Sequence, residues 1–137
     1  TIIITCLTVI ATMFEVKEIV VFGAIVIGAV LGFLMFNIYP AKAFMGDTGS
    51  MFLGGVISGI ALYLKMPLLL LVIAIIPVVE TISVIIQVAF FKKTGKRVFK
   101  MAPIHHHLEL SGWRENQVVM AFSIITLIAS IVGLQLI

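Results

Sequence analysis

Long apolar stretches interrupted by short polar ones dominate this sequence and restrict it to a small set of folds. Residues 19–36 are eighteen apolar residues in succession, enough for one helix to cross the roughly 30 Å hydrocarbon layer of a bilayer. Of the 137 residues, 62% are hydrophobic and 11% are charged, which is more apolar surface than a water-soluble domain needs. The sequence therefore predicts an all-α integral membrane protein, folded as a polytopic helix bundle.

The polar interruptions predict four full transmembrane helices and the end of a fifth. The predicted spans are 1–14 (truncated), 19–36, 50–64, 67–91 and 118–137, joined by two long loops, 37–49 and 92–117. The first stretch is too short to span comfortably and lacks the flanks of a signal peptide, so we interpret the chain as part of a longer protein. As a helix, 67–91 would extend about 36 Å, and Pro77 within it predicts a kink or a break. Small residues at four-residue spacing predict close helix packing at Ala24, Gly28, Gly32, Gly55 and Gly59.

The basic residues predict the orientation. Alternation of the spans puts Lys42 and the Lys- and Arg-rich segment 92–114 on one side of the membrane, and Lys65 on the other. An excess of Lys and Arg marks the cytoplasmic side. Both long loops are therefore predicted to be cytoplasmic, and the C-terminus outside. Topology explains most of the basic cluster, and attraction of anionic lipids or phosphorylated substrates is compatible with it.

The segment from Asn37 to Ser50 concentrates polar residues at the predicted start of a helix. Asp47, Thr48 and Ser50 are residue types that accept hydrogen bonds from the unpaired N–H groups of a helix N-terminus, so one interpretation is a cap. The other is a ligand site, because a carboxylate at the membrane surface can hold Mg²⁺ and glycine-flanked N–H groups can approach a phosphate. The residues alone leave both open.

Polar residues also occur inside the span 67–91. Glu80, Ser83 and Gln87 are spaced i, i+3 and i+7, which places them on one face of a helix. Intramembrane carboxylates are costly and usually face a bundle interior or a watery cavity. Glu80 is thus predicted either to form an interhelical hydrogen bond or to line a polar cleft.

Three successive histidines, His105 to His107, lie in the second long loop. If this segment were extended, His105 and His107 would share a face and, with Glu109, could bind a transition metal. Alternatively, the imidazoles contact phosphate oxygens or transfer a proton, which the surrounding Lys and Arg residues also suit.

Two segments carry a family resemblance. Residues 40–50 (PAKAFMGDTGS) and 96–107 (KRVFKMAPIHHH) resemble the C-terminal signatures of the polyprenyl-phosphate N-acetylhexosamine-1-phosphate transferase superfamily. The uninterrupted histidine triplet favours its muramoyl branch, the phospho-N-acetylmuramoyl-pentapeptide-transferase (MraY) family, and the resemblance extends over the whole chain. It implies that residues 1–137 are the C-terminal part of one transferase domain with ten spans, whose other acidic motifs lie upstream.

The resemblance implies an activity and its partners. The family transfers phospho-MurNAc-pentapeptide from UDP-MurNAc-pentapeptide to undecaprenyl phosphate at the bacterial cytoplasmic membrane. The products are lipid I and UMP, and the reaction requires Mg²⁺. The resemblance also implies contact with membrane lipids, a homodimer and inhibition by nucleoside antibiotics. It implies no binding of nucleic acid. The alternatives are a GlcNAc-1-phosphate transferase of the same superfamily and, from another class, a transporter or metal-handling membrane subunit.

The resemblance also implies residue roles. Asp47 matches the Mg²⁺-binding aspartate and Phe44 the aromatic residue that stacks on uracil. The residues expected to line the nucleoside and inhibitor cleft are Asn37, Ser50 and Gln87. His105, His106 and His107 match the catalytic triplet, and we expect them to lie in one cleft with Asp47, on the order of 10 Å away, where direct and water-bridged contacts to a diphosphate would reach both.

Overall fold

The computed structural model describes residues 1–38 and 40–137, and the regular secondary structure of this part of the chain consists of helices, without strands. The all-α fold class predicted from the sequence is thereby confirmed. The described elements are seven helices: α1 (Ile2–Met13), α2 (Lys17–Asn37), α3 (Asp47–Tyr63), α4 (Pro67–Ile73), α5 (Ile75–Thr94), α6 (Ile104–Leu110) and α7 (Glu115–Gln135).

Helix α1 lies at the centre of the bundle. Ile4, Leu7 and Ile10 recur about once per helical turn, and all three side chains are fully buried. They form one apolar core with buried residues of α2, α3 and α4, namely Val26, Val56, Ile60, Ala61 and Ile73. The first, short apolar segment is therefore the helix around which the others pack.

Three of the helices, α2, α5 and α7, are long and apolar enough to cross a membrane by length and composition. Helix α3 is shorter, at 17 residues, and α1 has 12. Three helices thus reach spanning length where the sequence predicted four full spans. Large apolar side chains cover the outer surface of these helices; examples are Val21, Met35 and Ile85, each at least 60% exposed. Such a surface suits a lipid environment and confirms a helical, multi-pass membrane protein.

The predicted break in the segment 67–91 occurs at Ala74, whose backbone (φ −97°, ψ 34°) separates α4 from α5. Pro77 has no N–H to donate to the carbonyl of Ile73, and its ring crowds that carbonyl, so the helix is interrupted one turn before the proline. Helix α4 packs closely on α7: a Cβ added to Gly133 would come within 2.8 Å of Ile73 Cγ1. Helix α5 leaves the core after the break, and Ser83 is its one buried residue in the described chain.

Helices α1 and α2 form a close antiparallel pair. The turn between them has Glu15 in the left-handed region (φ 57°), and the N–H of Val16 donates to the carbonyl of Ala11, 3.0 Å away. Thr8 packs directly against Gly23, where an added Cβ would lie 2.2 Å from Thr8 Oγ1. The packing predicted at other small residues stays a prediction, since no described residue lies within 4 Å of a Cβ added to Gly28, Gly32, Gly55 or Gly59.

Candidate active site at two polar loops

The loop after α2 folds back on the end of that helix. The Phe36 carbonyl accepts hydrogen bonds from the backbone N–H groups of Lys42 (2.7 Å) and Ala43 (3.1 Å). Asn37, the last residue of α2, donates from Nδ2 to the Ala43 carbonyl at 2.9 Å. These bonds supply partners for terminal helix groups and hold the loop against the helix. Asn37, expected to line the nucleoside cleft, therefore acts here by ordering the loop that carries Phe44.

Asp47 is the first residue of α3, and Gly46 is the N-cap. No side chain caps the helix, so the capping interpretation of Asp47 is wrong. The carboxylate is exposed at the positive end of the helix dipole and makes no hydrogen bond or ion pair with any described residue. Ser50 is occupied locally, because its hydroxyl donates to the Asp47 carbonyl at 3.0 Å.

Phe44 lies in the same loop, three residues before Asp47. Its side chain is 83% exposed, so the ring offers a flat apolar face. A planar ring close to a carboxylate can stack on a base while the carboxylate, through a bound cation, acts on the attached phosphates. The loop therefore places two of the expected residues within three positions of each other and at the surface.

Gln87 organises the second polar loop. Helix α5 ends at Thr94, where Gly95 (φ 67°) provides the left-handed residue that terminates the helix and reverses the chain. The returning backbone meets Gln87, whose Oε1 accepts from Val98 N (3.0 Å) and Phe99 N (2.9 Å) and whose Nε2 donates to the Phe99 carbonyl (3.0 Å). The amide expected to line the nucleoside cleft thus binds the backbone of the basic segment.

A groove of about 430 Å³ opens beside Gln87. Its walls are apolar side chains of α5 and of the following loop together with two cationic side chains, and they include Val84, Val88, Phe91, Met101, Lys92 and Arg97. The sequence assigns Lys92 and Arg97 only to the basic cluster that predicts the membrane orientation. They line one groove because the chain reverses direction at Gly95.

Glu80 contacts the histidine triplet. Its Oε1 lies 2.6 Å from His105 Nδ1, and the two side chains are 28% and 31% exposed. Glu80 also lines a shallow groove of about 420 Å³ with Pro103. Of the two predicted roles for Glu80, the hydrogen bond between helical segments is present, and the carboxylate also faces a groove.

The three histidines diverge because they lie on a helix, α6, and not on an extended segment. His105 contacts Glu80, whereas His106 Nδ1 lies 3.1 Å from Glu109 Oε2 within α6. His107 Nδ1 accepts the backbone N–H of Lys100 at 3.1 Å. Within residues 1–38 and 40–137, no group of three His, Cys, Asp or Glu side chains could hold a metal, so the alternative of a transition-metal site at His105, His107 and Glu109 is not supported there.

The described contacts do not join the two loops. Helix α6 packs on α5 and α7, whereas α3 packs on α1 and α4, and no hydrogen bond or ion pair between described residues joins the loops. The juxtaposition of His105–His107 with Asp47 stays a prediction. Mg²⁺ is commonly held by one or two carboxylates with water and substrate phosphates, and the exposed Asp47 carboxylate fits one such position.

Comparison with known proteins identifies the family. The family model described as "Glycosyl transferase family 4" matches residues 1–65. A phospho-N-acetylmuramoyl-pentapeptide-transferase of Clostridium botulinum (strain Eklund 17B / Type B) is 64% identical over 82% of this chain and 35% of its own length. Proteins of the same name from Acetivibrio thermocellus and Clostridium acetobutylicum are 59% and 53% identical over 89% and 96% of the chain, which is 37% and 41% of their lengths.

The fold and these matches define part of a helical membrane protein, whose residues 1–65 are similar to the family 4 glycosyl transferases. More narrowly, the chain belongs to the phospho-N-acetylmuramoyl-pentapeptide-transferase family, as the motif resemblance predicted. The chain spans little more than a third of the length of the curated relatives it matches.

Proposed function

We propose that this chain contributes part of the active site of an enzyme that transfers phospho-MurNAc-pentapeptide from UDP-MurNAc-pentapeptide to undecaprenyl phosphate, forming lipid I and UMP. The observation that carries the proposal is the 53% identity with a curated transferase over 96% of the chain, a stretch that includes both polar loops. The exposed Asp47 carboxylate and the ordered histidine segment agree with it, because phosphoryl transfer depends on positioned charge more than on covalent chemistry of the protein.

Asp47 is the residue that would hold Mg²⁺, together with oxygen ligands from outside this chain. When bound, the ion would neutralise negative charge on the diphosphate. Asp47 itself supplies an exposed carboxylate at a helix N-terminus, in a loop that Asn37 orders. The exposed ring of Phe44 binds the uracil of the sugar nucleotide by stacking.

The remaining expected residues have distinct parts in this proposal. Ser50 borders the nucleoside cleft on the first turn of α3, and Gln87 maintains the basic segment that approaches the phosphates. His106 and His107 supply imidazole nitrogens for contact with phosphate oxygens. The Lys and Arg side chains of 92–100 attract the anionic substrates to this side.

The proposed setting is the bacterial cytoplasmic membrane, with the loops 37–49 and 92–117 in the cytoplasm and the C-terminus outside. The asymmetry of Lys and Arg supports this orientation, and the site lies where a lipid and a cytoplasmic nucleotide can meet. Nucleoside antibiotics would compete for the surface around Phe44, and a homodimer is part of the same proposal.

A transfer assay on the full-length enzyme tests the proposal. Asp47→Asn keeps the shape of the side chain but removes its charge, so lipid I formation and UMP release should be abolished while the protein still folds. Glu115→Gln is the matched control, because Glu115 is also the first residue of a helix, α7. Full activity of Asp47→Asn at ordinary Mg²⁺ would refute the ligand assignment. Efficient transfer from UDP-GlcNAc in place of the muramoyl substrate would refute the assigned specificity.

A further inference from the structure

In both His105 and His107 the ring nitrogen Nδ1 is in a hydrogen bond, but one partner is an acceptor and the other is a donor. His105 Nδ1 faces a carboxylate oxygen of Glu80 at 2.6 Å, and an ionised carboxylate can only accept a hydrogen bond. His107 Nδ1 faces the backbone N–H of Lys100 at 3.1 Å, which can only donate. In their neutral forms, His105 therefore carries its proton on Nδ1 and His107 carries its proton on Nε2.

The Glu80 contact differs from the other carboxylate–histidine contact of this segment. Glu80 lies on α5, 25 residues before His105, at a backbone secured by the Ser83 hydroxyl, which donates to the Glu80 carbonyl at 2.6 Å. The Glu109–His106 contact is longer, 3.1 Å, lies within α6 and is more exposed, at 36% and 40%. A partly buried, charge-assisted bond from another helix restrains a ring more than an exposed bond within one short helix does.

We propose that Glu80 is a positioning residue for the transfer reaction: it fixes the ring of His105 with the proton on Nδ1 and so leaves Nε2 as a hydrogen-bond acceptor. His107, held by Lys100, presents the opposite group, an Nε2–H donor. His105 then suits a protonated phosphate oxygen or a substrate hydroxyl, and His107 suits an ionised phosphate oxygen. The Nε2 atom of His105 makes no hydrogen bond with any described residue, which keeps it available for such a contact. This assignment of roles rests on the proposed function, whereas the tautomers do not.

The tautomers can be measured directly in the full-length enzyme in lipid nanodiscs. Imidazole ¹⁵N shifts and couplings distinguish the two neutral tautomers from the doubly protonated ring, and a His105→Gln sample assigns the signal. The wild type should show His105 protonated on Nδ1 alone. Glu80→Ala should shift it towards the Nε2–H tautomer, whereas Glu80→Gln should retain Nδ1–H, because the amide oxygen still accepts. Glu109→Gln should leave it unchanged.

Kinetics on the same variants test the functional part. Glu80→Ala should lower kcat by about tenfold or more with little change in the KM for the sugar nucleotide, the size of effect expected when a partner that orients a functional histidine is lost. Glu80→Gln should restore part of kcat, and Glu115→Gln should match the wild type. Thermal unfolding confirms that each variant folds.

The outcomes separate the inference from the proposed function. A wild-type His105 that is doubly protonated or protonated on Nε2 would overturn the inference even if the enzyme is active. An unchanged kcat in Glu80→Ala, with the tautomer shifted, would overturn the positioning role. A wild-type enzyme with the expected tautomers but without transfer activity would instead refute the proposed function.

Discussion

Removal of the Gln87 side-chain amide should release the basic segment between α5 and α6. Gln87→Ala deletes three hydrogen bonds of 2.9–3.0 Å to the backbone of Val98 and Phe99. Each such bond contributes about 0.5–1.5 kcal/mol net, and because Val98 is exposed and Phe99 half-buried, water replaces part of the loss. We therefore expect local opening of the segment to become easier by about 2 kcal/mol, which corresponds to about 30-fold.

Amide hydrogen exchange on the full-length protein in nanodiscs measures this directly. If opening and closing are fast, exchange of the Val98 and Phe99 amides should accelerate by about the same 30-fold in Gln87→Ala. Gln87→Glu should give a smaller change, since its oxygens still accept from both N–H groups but can no longer donate to the Phe99 carbonyl. Gln117→Ala is the control, because among the described residues the Gln117 side chain accepts only from Arg114 N, 2.9 Å away at the start of α7.

The amide exchange rates of Val98 and Phe99 decide whether Gln87 anchors the basic segment. Rates within about threefold of the wild type in Gln87→Ala would show that the three bonds contribute less than about 0.7 kcal/mol together, and the anchoring role would be refuted. Faster exchange in the Gln117→Ala control at Val98 would show that the segment opens with α7 rather than through Gln87.

Three further substitutions test other parts of the chain. Gly23→Ala places a Cβ against Thr8 Oγ1. Overpacking of about 1–3 kcal/mol should outweigh the gain of about 0.5–1 kcal/mol in helix propensity, so the thermal midpoint should fall. Adding Thr8→Ala should restore much of the lost thermal stability. Phe44→Ala should raise the KM for the sugar nucleotide by up to about tenfold, from about 0.5–1.5 kcal/mol of stacking, while Phe44→Trp stays close to the wild type; an unchanged KM would argue against stacking. Gly95→Ala forces a Cβ into the left-handed region (φ 67°) at a cost of about 1 kcal/mol, so trypsin should cut after Lys96 faster than in the wild type.

The all-helical fold follows from the sequence because apolar runs of this length have few other solutions, and Pro77 correctly indicated the break between α4 and α5. The role of Asp47 could not be derived in the same way. A cap depends on which residue starts the helix, and sequence patterns place that start only to within one or two residues. Gly46 takes the N-cap position, which puts Asp47 one place further along with an uncommitted carboxylate.

The histidine triplet shows a similar limit. Pro103 favours an extended residue before it but also suits the start of a helix, so the sequence left His105 and His107 either on one face or apart. The structure begins α6 directly after Pro103, and the helix turns successive imidazoles away from one another. A metal site at His105 and His107 would need an extended segment with both imidazoles on one face, and the segment is helical instead.

The pairing between α5 and the returning segment depends on the reversal at Gly95. Spacing put Glu80 and Gln87 on one face of α5, seven residues or about 10 Å apart along the axis, but spacing names no partner. Because the chain turns back after Gly95, the backbone N–H of Val98 contacts Gln87. His105, seven residues after Val98, contacts Glu80. Glu80 and Gln87 of α5 thus hold both ends of one segment. This arrangement predicts coupling: Gln87→Ala should also weaken the Nδ1–H tautomer of His105, and a His105 spectrum identical to the wild type would show that Glu80 acts alone.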